Sequence, residues 1–267
     1  MSKILIVGNW KMNLNTHQAS LYLHKLDGML KAYRDVEVVI CPSTLVLQSL
    51  SLQVNHRKMK LGAQNCYWRD DGPYTGEVSA TMLHGVVDYV LVGHSERRHI
   101  FGEREPDIRA KVQAVLRNGL RPILCVGETA QEKADGETEH VLHEQVVSGL
   151  ANVTSEEMER VTVAYEPVWA ISHGTDFARH VSATPEQADA AAKLIRRQIK
   201  SLYGAEAADK IRILYGASVS PENAGSYLGL PSINGLLAGG ASLQADTFTA
   251  LVTAAHQSAK STEKGAT

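Results

Sequence analysis

The sequence is poor in the features that mark several protein classes. It holds three cysteines in 267 residues, Cys41, Cys66 and Cys125, an odd number with no zinc-type spacing. That excludes a disulfide scaffold and predicts a reduced, cytoplasmic protein. No apolar run approaches the length of a membrane span, and Met1-Ser2-Lys3-Ile4-Leu5 lacks the long apolar segment of a signal peptide. The formal charge of -2 gives no global electrostatic case for nucleic acid or an anionic membrane. No apolar run is followed by a GxGxxG turn, which weakens a dinucleotide reading. Neither a linker nor a low-complexity stretch divides the chain.

What is there is a repeating alternation. Short apolar runs occupy Lys3 to Val7, Val36 to Ile40, Met59 to Ala63 and Val86 to Val92. They continue with Leu120 to Val126, Val161 to Tyr165, Ile211 to Tyr215 and Ile233 to Ala238. The third is the weakest by pattern. Helical spacing fills the gaps, as in Leu23, Leu26 and Leu30 or Ile108, Val112 and Val115. Thr184-Pro185-Glu186-Gln187 reads as a capping box with proline at the first helical position. Eight strand–helix units of roughly 30 residues each account for nearly the whole length. Such alternation implies parallel pairing and right-handed crossovers. The arithmetic is that of a closed eight-stranded β/α barrel; periodicity alone leaves an open doubly wound sheet as the rival. The barrel is expected over residues 1–257, with a polar, fraying tail over 258–267.

Polar and glycine residues gather where the runs end. Asn9 and Lys11 follow the first, Gln64-Asn65 the third, and Gly93-His94-Ser95-Glu96 the fourth. Glu166 follows the sixth, Gly216-Ala217-Ser218 the seventh, and Gly239-Gly240 the eighth. In a parallel barrel those ends share one face, where active sites sit. Pro167 stiffens the chain and holds Glu166 extended at its strand end. Gly239-Gly240 offers bare backbone N–H groups before a helix start, a natural phosphate seat.

Taken in order, these stretches resemble the triosephosphate isomerase family. The matching segments are Asn9-Trp10-Lys11-Met12-Asn13, Gln64-Asn65, Tyr74-Thr75-Gly76-Glu77 and Val92-Gly93-His94-Ser95-Glu96-Arg97-Arg98. Cys125-Val126-Gly127-Glu128, Tyr165-Glu166-Pro167-Val168-Trp169-Ala170-Ile171 and Gly239-Gly240-Ala241-Ser242 complete the set. The resemblance implies a single (β/α)8 TIM barrel that interconverts dihydroxyacetone phosphate and glyceraldehyde 3-phosphate through an enediolate, in glycolysis and gluconeogenesis. It implies Glu166 as the base and His94 as the electrophile, the family's carboxylate–imidazole pair. Lys11 and Asn9 would hold substrate, with Glu96 beside the lysine. Ser172, Ser218, Gly239 and Gly240 would seat the phosphate. Ile171 and Leu237 match apolar positions that press around the glutamate. No metal or cofactor is implied. A lid would span Pro167 to about Val181. The turn from Gln64 to Glu77 would insert into a second subunit, bringing Thr75 to the neighbour's site in a homodimer.

The sequence departs from the family in four places. The lid tip, Ser172 to His180, differs in composition from the family's, and the segment between Trp169 and Thr184 is longer than the family's common form, which motivates a four-carbon ketose phosphate as an alternative substrate. Ala217 stands where the family has a second glycine, a strained choice if that position needs positive φ. Asn234 replaces a common aspartate, and Cys41-Pro42-Ser43 lacks a second proline. Outside the reacting set, Glu128 and Arg97 read as structural ion-pair members and Cys125 as packing beside the site. His173 and His180 read as exposed lid-tip residues. A non-catalytic phosphate-binding scaffold is the alternative from another class, and intact Lys11, His94 and Glu166 weigh against it.

Overall fold

The computed structural model describes residues 3–171 and 182–265. Eight strands run parallel and close in chain order: β1 (Ile4–Asn9), β2 (Val36–Cys41), β3 (Lys60–Ala63), β4 (Tyr89–Val92), β5 (Arg121–Val126), β6 (Thr162–Tyr165), β7 (Arg212–Tyr215) and β8 (Gly235–Ala238). Each overlaps one of the predicted runs, the weak third one included. Closure is made by β1 on β8, with Leu5 opposite Gly235 and Val7 opposite Leu237. That seam excludes the open sheet. It needs glycine at 235, because a Cβ there would lie 1.9 Å from the Leu5 carbonyl oxygen.

The helices are α1 (Thr16–Met29), α2 (Thr44–Ser51), α3 (Ala80–Leu83), α4 (Ser95–His99), α5 (Glu105–Arg117), α6 (Ala130–Ala134), α7 (Thr138–Gly149), α8 (Pro185–Lys210), α9 (Pro221–Leu228) and α10 (Ala245–Gly265). The predicted capping box opens α8, where the Thr184 hydroxyl accepts from Gln187 N. Gly204, at φ 87°, breaks α8 into a long and a short segment. α10 continues through the polar stretch from Ser258 to Gly265. Its apolar face, with Phe248, Leu251, Val252 and Ala255 fully buried, sets a helical period that propagates past the core.

The strands carry two cores. Successive side chains point to opposite faces. Leu5, Val7, Val39, Leu91, Ile123, Cys125, Ala164, Leu214 and Leu237 fill the barrel interior. Ile6, Ile40, Val90, Val92, Leu124, Val163, Tyr165 and Leu236 pack outward under the helices. Extending the inward parity past the carboxyl ends brings Asn9, Glu166, Gly216 and Gly239 over one mouth of the barrel.

At the opposite mouth the same parity gives charge. Glu37 meets Lys60 Nζ at 2.7 Å and Arg212 Nη1 at 2.6 Å, and the Tyr89 hydroxyl accepts from Arg212 at 2.8 Å and Arg121 at 3.2 Å. Burial alone would raise the Glu37 carboxyl, but hydrogen bonds from Lys60 and Arg212 and their charges outweigh it and hold it at about 2, below its ordinary 4.5. Because the folded value is depressed, the stabilisation is complete above 4.5 and disappears as pH falls toward 2. A carboxyl so displaced contributes about 3 kcal/mol at neutral pH. Glu37→Gln is therefore expected to lower denaturation free energy by about that amount at pH 7, with the gap closing near pH 2. Chemical denaturation at the two pH values checks this; a gap that does not change with pH would contradict it.

Candidate active site

Glu166 ends β6 and is 2 % exposed. Its N–H donates to Val126 O at 2.7 Å, tying the residue to the end of β5. Two glycines make room for it. A Cβ on Gly127 would sit 1.9 Å from the Glu166 carbonyl oxygen, and one on Gly216 would sit 3.0 Å from its Cγ and 3.3 Å from the Leu237 Cβ. Leu237, 3 % exposed, thus borders the same space. The Glu166 Oε2 accepts from Ser95 N at 3.2 Å, while Oε1 lies 3.3 Å from His94 Nε2.

His94 caps α4. Its Nδ1 accepts from Glu96 N at 3.2 Å. A neutral ring whose Nδ1 accepts carries its hydrogen on Nε2, the nitrogen facing Glu166. The backbone N–H at the start of α4 therefore selects the tautomer that can donate into the mouth.

Lys11 is one of three non-glycine residues at positive φ among the described residues, at 52°. Such a conformation persists only where surroundings over-determine it. Here Lys11 N donates to Asn9 Oδ1 at 3.0 Å, and the Gln64 amide donates to Lys11 O and Cys41 O at 2.9 Å each. The ammonium reaches Glu96 Oε1 at 2.6 Å. Its stem passes Gly239, where a Cβ would lie 3.4 Å from Lys11 Cε. A side chain at 239 would crowd the lysine, so the bare backbone keeps cation and glycine turn adjacent. Beyond Gly239, a turn of 3-10 helix over Gly240–Ser242 is closed by Ser242 N and Ser242 Oγ donating to Gly239 O.

The structure thus brings Asn9, Lys11, His94, Glu96, Glu166, Leu237 and Gly239 together at one mouth. The Ser218 hydroxyl donates to Ala170 O at 2.8 Å, linking the β7 loop to the start of the expected lid. Ile171 is the last residue described on that side. Ser172, His173 and His180, with the lid tip itself, lie outside the described residues. Thr75 is exposed on the long turn. Among the described residues no three His, Cys, Asp or Glu side chains gather closely enough to hold a metal ion.

Several sequence expectations are corrected or explained. Glu128 is no ion-pair partner among the described residues. It is 1 % exposed and accepts from the Tyr165 hydroxyl at 3.0 Å and Trp169 Nε1 at 2.8 Å, anchoring the chain just past the base. No signal in the sequence distinguished these neutral donors from cations. Arg97 does pair with Glu103. Ala217 is not among the positive-φ residues, so the feared backbone strain is absent. Asn234 Oδ1 accepts from Ile213 N and Arg196 Nη2 at 2.9 Å each, a role an amide oxygen fills without charge. The Cys125 thiol, buried below Glu166, is pushed well above its ordinary value by burial, and the Glu166 charge adds to that. Cys125 therefore sits as a protonated packing group. Gln64, whose amide joins Lys11 O to Cys41 O, carries no sequence signal for that role; only the fold places it.

Comparison with known proteins places this geometry in context. The family model described as triosephosphate isomerase matches residues 4–255. A triosephosphate isomerase of Carboxydothermus hydrogenoformans is 44% identical over 253 residues, covering 94% of this chain and 98% of the relative. One of Chlorobium phaeobacteroides is 45% identical over 260 residues, covering 96% and 100%. A crystal structure of triosephosphate isomerase from Bartonella henselae superposes with a TM-score of 0.83 at 36% identity, covering 94% of this chain and 98% of that one.

Proposed function

This chain belongs to the triosephosphate isomerase family, and on that premise we propose how its residues divide the interconversion of dihydroxyacetone phosphate and glyceraldehyde 3-phosphate. The Glu166 carboxylate removes a proton from the hydroxyl-bearing carbon beside the carbonyl. Electrons move toward the carbonyl oxygen, and an enediolate forms. His94 Nε2–H donates to the oxygens as charge develops there, and Lys11 offsets that charge. Protonated Glu166 then returns its proton to the adjacent carbon, while the hydroxyl proton passes from one oxygen to the other by way of His94 Nε2, so that the new carbonyl forms where the hydroxyl stood. Asn9 orients Lys11 through the bond to its N–H. The phosphate rests on backbone N–H groups at Gly239 and Gly240, with Ser172 and Ser218 contributing from neighbouring loops. Remote phosphate binding fixes the reacting carbons. Glu96 holds the lysine, and Ile171 and Leu237 keep water from the glutamate.

The observation that carries this reading is the 3.3 Å approach of His94 Nε2 to Glu166 Oε1, with Lys11 and Gly239 beside them. A base and a donor so placed can reach adjacent atoms of one small sugar. The test is a coupled assay on protein free of contaminating isomerase. Rapid turnover of the triose phosphates is expected. A preference for a four-carbon ketose phosphate would shift the assignment to the lengthened lid's alternative, and no turnover would favour a scaffold.

We also propose a homodimer. Met12, Leu45, Tyr74, Met82, Ile100 and Phe101 are exposed, Met12 at 95% and Leu45 at 80%. They lie in the segments that follow four consecutive strands, β1 to β4, around the long turn from Gln64 to Glu77, with Leu45 in α2 and Met82 in α3. Large apolar side chains exposed in neighbouring segments support an association site there. Thr75, at the tip of that turn, would reach the second subunit's mouth. Light scattering is expected to give the mass of two chains; a fully active monomer would overturn the dimer. The cytoplasm fits Cys41, Cys66 and Cys125 being free and buried.

A further inference from the structure

A second polar feature lies in the helix layer and shares no residue with the barrel mouth. A cleft of about 720 Å³ opens over α8, bounded by the start of α7 and the short segment beyond Gly204. Four cations, Lys193, Arg196, Arg197 and Lys200, line it with two carboxylates, Glu139 and Asp209, and a third, Asp189, pairs with Lys193 beside it, leaving one positive charge in excess. The surplus of positive charge is notable on a chain whose formal charge is -2.

Internal pairing does not remove the surplus. Lys193 is matched by Asp189 at 2.7 Å, but Arg197 approaches Glu139 only to 4.0 Å, with both groups well exposed. Lys200 has no ion pair among the described residues. Arg196 is the anchor. Its guanidinium donates to the carbonyls of Ala208, Ile211 and Ser232 and to Asn234 Oδ1 at 2.9 Å. All four acceptors are neutral oxygens. They fix the guanidinium in place without cancelling its charge, and asparagine at 234 supplies an oxygen where a carboxylate would have neutralised it. Burial pulls Arg196 below its ordinary value, with the Asp209 charge opposing.

We propose that this cleft binds a small oxyanion carrying two or more negative charges, of the kind found in organic bisphosphates and pyrophosphates. The volume falls within the range of small-molecule sites. Arg196, held rigidly, offers a preorganised charge, while Arg197 and Lys200 bring mobile ones. Ala190, Leu194 and Ala208 leave an apolar floor for a carbon body between the charged groups. The binding is electrostatic and so weakens with added salt.

Equilibrium dialysis of inorganic pyrophosphate against the full chain tests this, with the barrel mouth saturated by glycerol 3-phosphate so that the substrate's own phosphate seat is filled. One pyrophosphate per chain is expected at low ionic strength. The double substitution Arg197→Gln, Lys200→Gln should weaken it at least tenfold and leave triose-phosphate turnover unchanged, which also reports an intact fold. Lys25→Gln, a charge removed on α1, should change nothing. No binding with the mouth filled, equal binding by the double variant, or equal weakening by Lys25→Gln would each overturn the proposal.

Discussion

Glu166→Gln lowers turnover by about 10³-fold or more, within the range expected for loss of a positioned base. The amide is nearly isosteric, and its oxygen can still accept from Ser95 N, where the carboxylate accepts at 3.2 Å. Packing against Gly216 and Leu237 is preserved, so stability changes little. What is lost is the group that can carry the proton between carbons. Affinity for a phosphate-bearing analogue should remain, because that binding is assigned to Gly239, Gly240 and Lys11. Steady-state kinetics and direct titration of the analogue separate the two effects. A variant that retains more than a tenth of wild-type turnover would remove Glu166 from its assigned role.

Gly127→Ala, a single methyl group added outside the reacting set, is expected to damage both fold and activity. The position is not at positive φ, so the cost is spatial. The new Cβ would meet the Glu166 carbonyl oxygen at 1.9 Å, its carbon at 2.5 Å and Pro167 N at 3.2 Å. These are backbone atoms, which cannot swing aside as a side chain does. Glu166 N is also bonded to Val126 O, so relief must part the ends of β5 and β6. We expect a loss of about 3 kcal/mol or more in stability, at the upper end for single substitutions. Moving the base by an ångström should cost about 10²-fold in turnover. Gly225→Ala is the contrast: it lies in α9 with nothing within 4 Å of the added Cβ, and should stabilise by about 0.5–1 kcal/mol. Denaturation and kinetics on the pair test the argument; tolerance of alanine at 127 would refute it.

Much of the barrel was legible because burial on both faces of a parallel strand produces a short apolar run, and eight such runs punctuate the chain. The gathering of Asn9, His94, Glu166 and Gly239 at run ends was legible for the same reason, since parallel strands share a direction. Less visible was anything set by pairing across the barrel. Glu37 looks like a stray charge in Val36-Glu37-Val38 until Lys60 and Arg212, distant in sequence, are folded against it. Among the described residues Glu128 is held by a phenol and an indole, because a buried carboxylate can be satisfied by neutral donors as well as by a cation. The break at Gly204 was missed because the residues on both sides favour helix. In α10, polar composition at Ser258 and beyond says little about backbone form once an apolar stripe has started a helix.

The seam between β1 and β8 has a consequence for how this chain is made. Leu5 to Val7 leave the ribosome about 230 residues before their partners at 235–237. One edge of the nascent sheet therefore stays unpaired while the intervening strands are made, and Glu37 waits nearly as long for Arg212. Contacts so remote along the chain form slowly and leave strand edges open to other chains. Expression at reduced temperature or with added chaperones should thus raise the yield of native protein more than any substitution at the catalytic mouth.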